Sequence, residues 1–113
     1  MIKFYKVYDF KKHGAEPQQL NTTRTIVIDN KRICMARNPN GYYAVDDVCP
    51  HAGAKLGNGG WCEGDLVVCP VHKYKYNLKT GQGIHGDFIK PYQVQTRPDG
   101  VYIGLEKKWW KFW

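Results

Sequence analysis

The chain has 113 residues, 42% of them hydrophobic and 24% charged, and a formal net charge of +7. That length sets one domain with a modest core, and the composition excludes a disordered chain. No apolar run reaches the roughly 18 residues a membrane span needs, and the complete lack of serine removes serine nucleophiles.

The opening Met1–Phe10 alternates lysine with aromatic and aliphatic residues and has no signal-like apolar core, so a cytoplasmic location is expected. Lys3–Tyr8 reads as a first strand, and residues 11–24, polar with Gly14 and Pro17, read as a loop or short helical turn. Thr25–Ile28 and Arg32–Ala36 flank Asp29-Asn30-Lys31 as a hairpin, and Asn40-Gly41 turns the chain into Tyr42–Val45. Leu66–Val68 is a short buried-type strand running into Cys69. Tyr92–Thr96 and Val101–Leu105 flank the turn Pro98-Asp99-Gly100. With no sustained helical periodicity, the expectation is an all-β domain over residues 1–105, carrying a glycine-rich insertion at about 46–87. Residues 106–113 form a basic, aromatic tail that could dock on a partner, fold back, or meet a membrane interface.

Two ligand-like clusters lie in the insertion, Cys49-Pro50-His51 and Cys69-Pro70-Val71-His72, separated by residues 52–68. Four cysteines without a secretion signal suggest metal or redox chemistry more than a disulfide framework. Two thiolates and two imidazoles suit a tetrahedral zinc ion. They equally suit a [2Fe–2S] cluster, with both thiolates on one iron and both imidazoles on the other. Ligand counting alone leaves both open.

The residues around the clusters are more specific. Cys49-Pro50-His51-Ala52-Gly53-Ala54-Lys55-Leu56 and Glu63-Gly64-Asp65-Leu66-Val67-Val68-Cys69-Pro70-Val71-His72 resemble the two cluster loops of Rieske proteins. Tyr74-Lys75-Tyr76-Asn77-Leu78-Lys79-Thr80-Gly81 resembles the strand and turn that follow them, and Tyr43–Val48 the run that precedes them. The similarity is to small Rieske ferredoxins and to the small subunit of assimilatory nitrite reductase. This resemblance implies three small antiparallel sheets with an inserted cluster-binding subdomain. It also implies a [2Fe–2S] cluster held by Cys49, His51, Cys69 and His72, with the histidines on the exposed iron. The implied role is electron transfer rather than catalysis, between a flavin-containing reductase and a terminal oxygenase or a nitrite reductase-like large subunit. A zinc-stabilised interaction module is the alternative from another class.

Departures from the family pattern refine the expectation. Ala54 and Val71 occupy the positions where membrane-complex members carry a bracing disulfide, and Tyr74 stands where high-potential members often have serine. Tyr76 matches the family tyrosine and is expected to donate to the Cys69 sulfur. With few donors to sulfur, a low potential for the class follows. Lys73 replaces a glycine common after the second histidine. Together with Lys55, and with Lys75 and Lys79 nearby, it is a candidate positive collar for an acidic partner. Cys34 is expected in the core, Cys62 is not expected to pair with it, and His85 and His13 read as surface residues. No nucleic-acid-binding module is recognisable.

Overall fold

The computed structural model describes residues 1–50 and 53–106. In chain order the elements are β1 (Ile2–Asp9), α1 (Phe10–His13), β2 (Thr22–Ile28), β3 (Lys31–Asn38) and β4 (Gly41–Asp46). Then come β5 (Trp61–Glu63), β6 (Leu66–Val68), β7 (Lys75–Asn77), β8 (Pro91–Arg97) and β9 (Gly100–Glu106). All strand pairings are antiparallel. The expected three sheets join into one continuous order, β1-β9-β8-β4-β3-β2-β5-β6-β7. The joints are narrow: Ala44 and Val45 meet Tyr92 and Pro91, and Thr22 alone meets Trp61.

Turn chemistry sets the register. Asp29 and Asn30 both have positive φ, 51° and 64°, the backbone of a two-residue hairpin turn that Asp and Asn tolerate. Lys31, expected in that turn, therefore begins β3 and pairs with Ile28. Asp9 caps the one-turn α1 by accepting from the Lys11 N–H at 2.9 Å. Along β1, the pairing with β9 shifts between Lys6 and Tyr8. The buried Tyr8 hydroxyl lies 2.6 Å from Gln18 Oε1, and Gln18 Nε2 donates to the Met35 and Thr22 carbonyls, tying the loop after α1 to β2 and β3.

β3 and β4 separate two cores. Successive strand side chains point to opposite faces, so Ile33 and Met35 join Tyr8, Ala44, Val101, Ile103 and Leu105 on one side. Cys34 and Ala36 join Val45, Leu56, Val67, Tyr76, Leu78 and Ile89 on the other, together with Cys49 and Cys69. Burial on both faces explains why Ile33–Ala36 is an unbroken apolar run rather than an alternating one. The second core is the floor beneath the cysteine–histidine loops.

Candidate metal centre

Each cysteine-bearing loop is a six-residue connection between paired residues. Val48 bridges Lys55 around the first, and Val68 pairs with Lys75 around the second. Inside, the two loops repeat one hydrogen-bond pattern. The Cys49 N–H donates to the Ala54 carbonyl at 2.8 Å, and the Gly53 N–H returns to the Cys49 carbonyl at 2.9 Å. In the second loop the Cys69 N–H donates to the Tyr74 carbonyl at 2.8 Å, and the Lys73 N–H to the Cys69 carbonyl at 3.0 Å. The fifth residue of each loop is left-handed, Gly53 at φ 65° and Lys73 at φ 57°. Lys73 therefore adopts the backbone that glycine provides in the first loop, at a steric cost of about 1–2 kcal/mol.

Cys49 and Cys69 are fully buried, whereas His72 is exposed. Burial pushes the Cys69 thiol up, and the neighbouring Cys49 thiol adds to the shift. Two thiols sharing a buried site are a natural place for a cation that takes them as thiolates. The Tyr76 hydroxyl lies 3.4 Å from Cys49 Sγ. This corrects the expectation that it would meet Cys69: β7 lies antiparallel to β6, with Tyr76 opposite Val67, and its side chain reaches the sulfur of the first loop. Burial, then the Cys49 contact, raises the Tyr76 hydroxyl, so it stays protonated at neutral pH and is able to donate to that sulfur once the thiol is a thiolate. His51 lies outside the described residues. Among the described residues no three histidine, cysteine or acidic side chains converge on one ion position. The donor set in view is a buried thiol pair with an imidazole from the second loop at the surface. That division suits a two-iron cluster with sulfur ligands inside and imidazole ligands outside.

Around the pair, His72 and Tyr74 have ring centroids 5.8 Å apart, and Tyr74 and His85 4.5 Å apart. Tyr74 thus packs between the two imidazoles, a role its position as a serine replacement did not suggest. Val48, Val71, Ile84 and Phe88 are exposed near these loops. The collar is narrower than expected, since Lys75 pairs with Glu63 at 2.9 Å and Lys79 with Asp65 at 4.0 Å. Lys73 is exposed and Lys55 half-buried.

Cys34 and Cys62 are buried free thiols. Burial raises Cys34 well above its ordinary value, helped by the Asp47 carboxylate, and raises Cys62 to about 11. Both are held as inert thiols at neutral pH. His13 is exposed on α1, its Nδ1 accepting from the Asp9 N–H. Asp47 is the residue that pattern reading passed over: a fully buried carboxylate before the first loop. Its only sequence signal is its place in Tyr43–Val48. The tail residues 107–113 lie outside the described residues, and Glu106 ends β9 with a 3.0 Å ion pair to the Met1 amino group. Among the described residues no helix is long and apolar enough to cross a membrane.

Comparison with known proteins agrees with this geometry. Residues 7–98 match the Rieske [2Fe-2S] domain. A cholesterol 7-desaturase of Bombyx mori is 34% identical over 74% of this chain, although the match spans only 19% of that protein's length. The ferredoxin component of the naphthalene 1,2-dioxygenase system of Pseudomonas aeruginosa is 26% identical over 71% of this chain and 79% of its own length. Among solved structures, a chain from a complex of reduced oxygenase and oxidized ferredoxin in carbazole 1,9a-dioxygenase superposes with TM-score 0.75. It is 26% identical, covering 93% of this chain and 95% of that one. A Mycobacterium tuberculosis chain assigned as the small subunit of NADH-dependent nitrite reductase superposes with TM-score 0.79 at 16% identity, covering 96% of this chain and 99% of that one. With the all-β antiparallel fold, the paired cysteine loops and the domain match in agreement, the chain belongs to the Rieske [2Fe-2S] domain family, and a Rieske-type cluster is its cofactor.

Proposed function

We propose that this chain is an electron carrier, passing one electron at a time from a flavin-containing reductase to a terminal oxygenase. The observation that carries the reading is the pair of equivalent loops, each placing its cysteine in the core, with His72 of the second at the surface. In this reading residues 1–105 are the Rieske domain, residues 46–87 its cluster-binding part and 106–113 a tail for partner contact. Cys49 and Cys69 would hold one iron, and His51 and His72 the other. When bound, the cluster supplies a one-electron couple. The protein's own residues then do three things. The second core keeps water from the thiolates, Tyr76 donates to the Cys49 sulfur, and His72 shortens the path to a docked partner. Val71 and Lys73 of the second loop are exposed, and so are Ile84 and Phe88 in the segment whose His85 packs on Tyr74, so that side offers a partner apolar groups and a positive charge. A terminal oxygenase is favoured by likeness to ferredoxin components of dioxygenase systems. A cytoplasmic setting and a low potential for the class belong to the same reading.

The test is an absorption and EPR spectrum of anaerobically purified protein before and after dithionite, with metals and sulfide assayed on the same sample. About two irons and two sulfides per chain, with a reduced signal of low average g, is the expected result. A colourless, EPR-silent sample rich in zinc would replace it with a zinc-stabilised interaction module. The likeness to a nitrite reductase small subunit supports a second reading, a subunit of a larger enzyme. Copurification with a large reductase chain would favour it over a free carrier.

A further inference from the structure

Asp47 is 1% exposed, and its carboxylate sits at the foot of the first loop. Gly57 N–H donates to Oδ1 at 2.8 Å, and the Thr25 hydroxyl contacts Oδ1 and Oδ2 at 3.2 and 3.0 Å. Its backbone carbonyl accepts from the Leu56 N–H at 2.6 Å. One residue therefore closes both ends of the segment carrying Cys49 and fastens that segment to β2. The fit is tight: a Cβ on Gly57 would come within 2.3 Å of the Thr25 backbone nitrogen. Among the described residues the carboxylate's ion-pair partner is Arg32, whose Nε is 3.5 Å from Oδ2 and whose side chain is 49% exposed while that of Asp47 is 0%. A water-screened guanidinium only partly offsets a buried anion.

We propose that Asp47 is a positioning residue of the cluster site: its carboxylate pins the first ligand loop to β2 and, as a buried anion two residues from Cys49, biases the bound cluster toward its oxidised form. Reduction adds negative charge, and a fixed negative charge held in a medium of low dielectric opposes it. The inference rests on the ligand assignment proposed above.

The experiment is an anaerobic redox titration followed by EPR on the loaded wild-type, Asp47→Asn and Arg32→Gln proteins, with thermal unfolding measured alongside. Poised at the wild-type midpoint, the reduced-to-oxidised ratio is expected to rise on the order of tenfold in Asp47→Asn. It is expected to fall, by a smaller factor, in Arg32→Gln. A merely structural latch would lower thermal stability in Asp47→Asn and leave the ratio where it was, which overturns the proposal. If Asp47→Asn does not retain its cluster, Arg32→Gln decides alone: a fall supports the inference and an unmoved ratio overturns it. A wild-type sample without the reduced signal sinks the ligand assignment and this inference together. A wild-type signal with unmoved variants sinks this inference only.

Discussion

The Tyr76 hydroxyl meets the sulfur of Cys49, across the site from the loop that precedes Tyr76 in sequence. Hydrogen bonds to ligand sulfur stabilise the more negative, reduced cluster. Tyr76→Phe should therefore lower the midpoint potential and leave the fold intact, read by redox titration and far-UV circular dichroism. An unchanged potential would mean that the hydroxyl does not donate to the thiolate in the loaded protein. Lys73 calls for a different measurement. It is an exposed residue held at φ 57°, matching Gly53 in the other loop. Lys73→Gly removes a left-handed penalty and restores some unfolded-state entropy, so a net gain of about 0.5–1 kcal/mol is expected. The thermal midpoint should rise by a few degrees. The converse change, Gly53→Lys, should cost about 1 kcal/mol. A partner that uses the Lys73 charge would bind Lys73→Gly more slowly, and that loss marks the position as a compromise between stability and recognition.

Both cysteine loops rest on the second core, to which Cys49, Cys69 and Leu56 belong. Leu56 is wholly buried beneath the first loop, and its N–H is held by the Asp47 carbonyl. Leu56→Ala should destabilise the protein by about 2–5 kcal/mol and reduce iron content at a given temperature, checked by thermal unfolding and metal assay. Most strands were legible in the sequence because short β-rich runs lie between turn residues that enforce two-residue connections. Leu66–Val68 coincides with β6, and Asn40-Gly41 and Pro98-Asp99-Gly100 mark real turns. Lys31 escaped because tripeptide composition does not show that Asp29 and Asn30 suffice for the turn. β5 escaped because Trp61-Cys62-Glu63 lacks the β-branched run that marks Leu66–Val68, and it gains its pairing from β6 and β2. At the site, local motifs revealed the cysteines and histidines. Which sulfur Tyr76 meets, and the burial of Asp47, are set by how distant strands stack, and no spacing along the chain encodes either.

At the scale of the whole molecule, a net charge of +7 acts on association more than on folding. Electron-transfer rates with an acidic partner should fall as ionic strength rises through the range where the screening length drops below about 10 Å. Little salt dependence would indicate that the apolar residues near His72 dominate docking. The strand order has a further consequence, for a chain that is crowded or still awaiting iron. Its outermost strands are β1 and β7. An unpaired strand edge is a template for copies of itself, and bulges and lysines on that edge discourage such growth. β1 has both, with Lys3 and Lys6 exposed and its ladder interrupted between Lys6 and Tyr8, while β7 offers only three residues. Among the described residues neither end gives a second copy a long flat edge to extend, so edge-to-edge growth of the sheet should be disfavoured even before the cofactor is in place.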